Sequence, residues 1–382
     1  MVENFSINDI YDKNINFLIG SGASYGLFPT LALDIKGEDE KSQTIETLAT
    51  LFESQNDNSL YSLLFMHYYK SCIEPAAMFN MKIAEADEKK KEVLDNYKMF
   101  LETLLVVLLR RKNGEKNCNV FTTNYDGCLA FAADDLLQQG YTDFVLNDGA
   151  IGFSRRFLQA KNFKSYVYQM GVFEKHRADI PQINLINLHG SVYWYKDEEN
   201  ILVDYSDKNK ERLLKGDHFK KLENFSRLLE DPTKSIDDLP TEKMLSKEEE
   251  NLFWEDYKKL PIVNPTKWKF HETVFEEHYY QMLRLLSYEL EKPNSVFIIF
   301  GFSFADEHIL NLVKRSLSNP SLQLFVCCFS SDGVKDMRNL FKSHRNVEYI
   351  FVEGSLNFSA FNEKVFNLSP KEDEEGIPEP GA

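Results

Sequence analysis

The sequence predicts an α/β protein: a doubly wound parallel β-sheet with large helical insertions. Three observations predict it. Seven short apolar runs, at residues 16–20, 118–123, 143–146, 183–188, 295–301, 323–329 and 347–352, are mostly continuous and not alternating. Such runs suit strands buried on both faces, as in a parallel sheet covered by helices. Longer segments between them carry apolar residues at helical spacing. Finally, four short polar motifs begin where apolar runs end, and ligands of open parallel sheets bind outside the carboxyl ends of the strands.

The first run leads into Gly20-Ser21-Gly22-Ala23-Ser24. The long span from there to the second run reads mostly as helix. Ile45, Leu48, Leu51 and Phe52, then Leu60, Leu63, Leu64 and Tyr68, keep helical spacing across 43–71. Leu94, Phe100, Leu101, Leu104, Leu105 and Leu108 continue it across 91–112. A crossover of this length holds more than one helix, so residues 35–115 are read as a helical insertion.

A second interruption, 200–290, is read as a charged helical insertion. Its part 206–250 is dense in Lys, Asp and Glu, as expected of a solvated helical face or a mobile excursion. Residues 261–269 read as a Pro-bounded loop and 272–290 as an amphipathic helix. The catalytic domain is assigned to 1–360, and the acidic segment 361–382 is expected to be a disordered tail.

The bulk composition narrows the function. Of 382 residues, 43% are hydrophobic, an ordinary globular balance, and the net charge is −16. That sign disfavours direct binding to a nucleic-acid backbone. The five cysteines include no Cys-x-x-Cys pair, which argues against a four-cysteine zinc site. Their odd number and the lack of a secretory segment fit a reducing compartment. The longest apolar stretch, 104–109, is far too short to span a bilayer. These features lead to the expectation of a cytoplasmic protein with no membrane contact.

Each motif has a chemical reading. Glycines in the 20–24 loop let the backbone turn tightly and approach a pyrophosphate, and a following helix would offer free N–H groups and its positive dipole end. Gly26 falls one residue late for Gly-x-Gly-x-x-Gly, so an ordinary strand-to-helix turn fits as well. In Thr122-Thr123-Asn124-Tyr125-Asp126, continued strand geometry points Asn124 and Asp126 the same way, and amide and carboxylate can then engage one ligand end. Asp126 suits an Asx turn or helix N-cap equally. His189 precedes the small residues Gly190 and Ser191, and its titration range suits a general base. A capping or core histidine fits the same position. In Gly301-Phe302-Ser303, the Ser303 hydroxyl can hold a ribose or phosphate. Asp306 can cap the helix that His308 begins.

Together and in this order, the four motifs resemble those of the sirtuin-like fold, a Rossmann-like α/β fold. Within it they resemble the bacterial sirtuin-like domains that destroy NAD in anti-phage defence. Gly20 to Ser24 match the loop that opens the NAD site, and Asn124 and Asp126 match its Asn-x-Asp segment. His189 and Gly190 match a strand-end His-Gly, and Gly301 and Ser303 a late Gly-x-Ser turn. The resemblance covers the sheet and its loops, with the insertions outside it. Protein-deacylating sirtuins usually carry a four-cysteine zinc ribbon and a Pro-Asp-Phe-Arg segment. This chain has no such ribbon, and Phe28-Pro29-Thr30 stands where that segment would be.

The resemblance implies hydrolysis of NAD to nicotinamide and ADP-ribose without a metal. Asn124 would hold the nicotinamide ribose or the attacking water, and His189 would accept a proton. Asp126 would grip the carboxamide beside Gly190. Gly20, Ser21, Gly22, Ala23 and Ser24 would bind the pyrophosphate, and Gly301 with Ser303 the adenosine-side ribose. It further implies an inactive resting state relieved by assembly, with a HerA-type hexameric ATPase as partner; the dense apolar region at 94–109 leads to the expectation of a homo-oligomer to which the first insertion contributes contacts. An NAD-dependent protein deacylase and a non-catalytic NAD or ADP-ribose sensor are the alternatives.

Overall fold

Seven parallel strands form the central sheet: β1 (Asn14–Ile19), β2 (Asn117–Thr122), β3 (Val145–Asn147), β4 (Gln182–Asn187), β5 (Ser295–Phe300), β6 (Gln323–Cys327) and β7 (Val347–Ile350). Their spatial order is β7-β6-β5-β1-β2-β4-β3. Every pairing between neighbours is parallel. The computed structural model describes residues 5–38, 40–170, 177–206, 218–264 and 273–368. All seven predicted runs are strands of this one sheet, and the Rossmann-like α/β fold is observed.

The continuous apolar runs are explained by the layers. Ile15, Phe17 and Ile19 of β1 point to one face, beneath α3 (Glu88–Leu109) and α4 (Cys128–Gln138). Leu18 points to the other, beneath α7 (Thr273–Glu291), α8 (Glu307–Ser316) and α9 (Ser331–Leu340). With helices on both faces, each strand position needs an apolar side chain.

Buried polar residues stand at the strand ends, such as Gln182, Thr122, Asn187 and Ser295, and in one row inside the sheet. Asn16, Asn119 and Asn184 are buried at paired positions of β1, β2 and β4. Asn119 Nδ2 donates to Asn16 Oδ1 at 2.8 Å, and Asn184 Nδ2 to Asn119 Oδ1 at 2.8 Å. Asn147 of β3 extends the row, donating to Asn184 Oδ1 at 3.1 Å. A slip of one residue would part every amide from its partner, so the row fixes the strand register.

The first insertion holds three long helices: α1 (Ile45–Ser54), α2 (Asn58–Tyr68) and α3. Thr44, Asp57 and Asp87 cap them, each accepting from backbone N–H groups of the first turn. Leu94, Phe100, Leu101, Leu104, Leu105 and Leu108 of α3 are buried against the chain's own sheet. Any self-association surface on this insertion therefore uses other side chains.

In the second insertion the structure departs from a solvated or mobile 206–250. Residues 207–217 lie outside the described residues. Beyond them, α5 (His218–Leu229) and α6 (Lys247–Tyr257) pack on α1 and α2. Leu222, Phe225, Leu229, Phe253 and Tyr257 join Leu48, Phe52, Leu63 and Phe65 in a second core. The reason is spacing: Leu222, Phe225 and Leu229 form one apolar stripe on a helix otherwise rich in charge. His67 Nδ1 and Ser226 Oγ, 2.8 Å apart, and Trp254 Nε1 donating to Ser62 Oγ at 2.9 Å join the two insertions. α7 instead belongs to the sheet, covering it through Met282, Leu286 and Leu290.

A small antiparallel sheet (Trp194–Asp197, Asn200–Val203, Phe157–Leu158 and Ala150–Ile151) was not expected from the sequence, because its strands are only two to four residues long. The expected tail, 361–382, is helical turn at 361–365, and 369–382 lie outside the described residues. Among the described residues, no helix is long and apolar enough to cross a membrane.

Candidate active site

The pairing register aligns the motifs. Phe300 pairs with Ile19, Ile19 with Thr122, and Thr122 with Asn187, so β5, β1, β2 and β4 end in one row. The motifs 301–306, 20–24, 123–126 and 188–190 leave from that row. β1 connects onward to β2 on one side, while its other neighbour, β5, begins the opposite half of the sheet. The row therefore includes the topological switch point, where ligands of open α/β sheets bind.

At the switch point two loops touch backbone to backbone. Gly22 N donates to Gly301 O at 2.9 Å. A Cβ on Gly20 would lie 2.4 Å from Gly301 O, and one on Gly22 would lie 2.7 Å from Gly301 Cα. These glycines are needed for loop-to-loop contact, a reason the sequence reading did not contain. The expected helix after the loop is a single 3-10 turn, Ser21–Ser24. Tyr25 is extended and Pro29 follows, which stops a helix there and removes the expected dipole. Ser21 is exposed at the rim, whereas Ala23 and Ser24 are buried.

Ser24 organises the buried side of the site. Its Oγ donates to Asp126 Oδ2 at 2.8 Å and lies 2.7 Å from Tyr97 Oη; Asn124 Nδ2 donates to it at 3.2 Å. With its one hydrogen on Asp126, Ser24 accepts from both Tyr97 and Asn124, which completes the hydroxyl's capacity. Burial pushes the Tyr97 phenol well above its ordinary range, so it remains a donor. Asp126 accepts Cys128 N–H through Oδ1 at 3.0 Å, the Asx turn that opens α4. Burial raises its pKa, and the hydrogen bonds from Cys128 and Ser24 oppose that rise.

Asn124 and Asp126 thus do point the same way, and they meet at Ser24. Asn124 is buried, its amide nitrogen turned to Ser24, and its Oδ1 has no hydrogen-bond partner. An orphaned buried acceptor is costly in a folded chain.

His189 is laced to the same row. Leu188 N donates to Thr122 O at 2.8 Å, and Asn187 Nδ2 to Asn124 O at 3.4 Å. His189 Nε2 lies 2.9 Å from Asp306 Oδ2. The second insertion presses on this turn: Val263 N donates to His189 O at 2.9 Å, and Tyr125 Oη to Val263 O at 2.9 Å. Gly190 has φ 84°, and a Cβ there would lie 2.0 Å from Pro261 O. Residues 265–269 of the expected Pro-bounded loop lie outside the described residues.

Ser303 is exposed, and its Oγ accepts Ala305 N–H at 3.4 Å, a local turn. Asp306 caps α8 as expected, and His308 stands in the first turn. The sequence reading did not find Tyr97 as a partner of Ser24 or Asp306 as a partner of His189. Among the described residues, no group of three or more His, Cys, Asp or Glu side chains is placed to hold a metal ion. Compared with known protein families and with curated proteins, the sequence matches none.

Proposed function

We propose that the chain hydrolyses NAD to nicotinamide and ADP-ribose at these strand ends. One observation supports the reading: Asn124, with its unpartnered buried Oδ1, and His189 follow neighbouring strands, β2 and β4, whose ends stand in one row. The resemblance of the motifs supplies the substrate.

The chemistry suits these groups. Nicotinamide leaves the ribose as a neutral molecule because it starts as a cationic pyridinium, so departure needs no acid. The ribose carbon gains oxocarbenium character as that bond breaks, as in other glycosyl cleavages. Water adds its oxygen to that carbon and gives up a proton, and His189 is the acceptor. Asn124 Oδ1 receives a hydrogen bond from the water or a ribose hydroxyl. The exposed rim of the 20–24 loop takes the pyrophosphate, and Ser303 the distal ribose. Asp126, already bonded to Ser24 and Cys128 N, acts by holding Ser24.

As the resemblance implies, the protein is the effector of an anti-phage defence system that depletes NAD in the cytoplasm. It assembles with itself and with a HerA-type ATPase, and its basal rate is low. The net charge of −16 favours DNA contact by that partner. Incubation with NAD in ¹⁸O-labelled water tests the reaction. ¹⁸O in the ADP-ribose but not in the nicotinamide, both formed without any acylated peptide, supports hydrolysis. NAD bound but not consumed supports a sensor, and a strict need for acyl-lysine supports a deacylase; either overturns the proposal.

A further inference from the structure

Asp306 divides its carboxylate between two tasks. Oδ1 accepts the backbone N–H of His308 at 2.8 Å and of Ile309 at 3.2 Å, capping α8. Oδ2 meets His189 Nε2 at 2.9 Å. Capping alone needs only one oxygen, which Ser, Thr or Asn would supply. The carboxylate thus has a second oxygen that the helix does not use.

The contact crosses much of the sheet. β5 and β4 are separated by β1 and β2. Three strand spacings amount to roughly 14 Å, so segment 301–306 and the 188–190 turn must close that gap over the ends of β1 and β2. The backbone is forced on the way: Gly301 has φ 67°, and the buried Phe304 has φ 60°, in the left-handed region that an aromatic residue rarely adopts. Phe304 is held there by its ring contacts with Phe302 and Phe341.

We propose that Asp306 is the positioning residue for His189: it keeps the imidazole proton on Nε2, puts the basic lone pair on Nδ1, and holds the ring over the strand ends. A carboxylate only accepts, so the nitrogen facing it must carry hydrogen. The side chains of His189 and Asp306 are 13% and 3% exposed, so water competes little for this bond. Among the described residues, Tyr279 of α7, whose ring centroid is 6.3 Å from that of His189, and Tyr125 are titratable groups beside the pair. Burial first, and the charge of Asp306 among lesser causes, pushes both phenols far above their ordinary range, so both are neutral at physiological pH.

The kinetic part of this inference rests on the NAD-hydrolysis reading; the tautomer part does not. The test is Asp306→Asn, which keeps the cap but faces His189 with an amide. In the full chain labelled with ¹⁵N-histidine, NMR should show His189 protonated on Nε2 at neutral pH. In Asp306→Asn the signal should move toward the Nδ1–H form, and the imidazole pKa should fall. kcat for nicotinamide release should fall about 100-fold or more, with KM little changed and the acidic limb of the pH profile shifted down. Asp306→Ser, which caps without reaching His189, should behave alike. Nδ1–H in the wild-type chain overturns the inference, and this readout stands even if a variant fails to fold. So does a folded Asp306→Asn with unchanged tautomer, kcat and pH profile. Absence of NAD cleavage by the wild-type chain sinks the proposed reaction and leaves the tautomer result to decide this point.

Discussion

The hydroxyl of Tyr97 lies 2.7 Å from Ser24 Oγ, so a helix of the first insertion reaches the glycine loop and, through Ser24, Asn124. Tyr97→Phe keeps the ring in the core and removes only this donor. A single neutral hydrogen bond contributes about 0.5–1.5 kcal/mol. The variant should fold, melt slightly lower, and release nicotinamide roughly 3- to 10-fold more slowly. Wild-type kcat in Tyr97→Phe would show that Ser24 orients Asn124 without it.

Gly301 is the point where the β1 and β5 loops meet. A Cβ there would lie 2.7 Å from Ala23 N, at φ 67°. Gly301→Ala should destabilise the fold and abolish NAD cleavage together, because the backbone contact itself must open. Gly354→Ala is the comparison: φ is 88° but nothing lies within 4 Å, so only the backbone cost of about 1 kcal/mol is expected. Chemical denaturation of both variants checks this, and equal losses would contradict it.

The buried amide row predicts a stability effect remote from the chemistry. Asn119→Leu leaves Asn16 Oδ1 without its donor and Asn184 Nδ2 without its acceptor. Each unmet group costs about 1–3 kcal/mol. Urea unfolding should register a loss of roughly 2–6 kcal/mol, the combined cost of the two. A loss below about 0.5 kcal/mol, the size of an ordinary surface substitution, would mean that the row does not hold the register.

Two buried histidines make the fold sensitive to acid. Burial lowers His67 and His278 from 6.5 to about 4. Both stay neutral in the folded chain while unfolded imidazoles take up protons below about 6.5, so stability falls as pH drops from 6.5 toward 4. His67→Gln and His278→Gln should each flatten the dependence of melting temperature on pH in that window. A slope unchanged in both variants would contradict the assignment.

The strands and the strand-end motifs were legible because each has a local signature. Continuous apolar runs mark strands covered on both faces, and Gly, Asn and His directly after them mark loops that must bend or bind. What was hidden is non-local. Tyr97 meets Ser24 across 73 residues, and Asp306 meets His189 across 117. Tyr97 lies within an apolar stripe that looks like core, and Asp306 within a cap motif that needs no second task. Asn16, Asn119 and Asn184 read singly as polar interruptions and make sense only once register aligns them. The glycines at 20 and 22 were legible as a close approach, but the approaching group is the backbone of Gly301. The packing of α5 stayed hidden because its apolar stripe, Leu222, Phe225 and Leu229, lies in a segment dense in charge.

The most direct test of the central claim is nicotinamide release from NAD by the full chain, followed by mass spectrometry over a long incubation. The Asn124→Ala and His189→Ala variants, checked for folding by circular dichroism, are run beside it. The account predicts slow but steady release by the wild-type chain and a drop of about 10²–10⁴-fold in each variant. Release that is absent from all three proteins, or the same in all three, would contradict it.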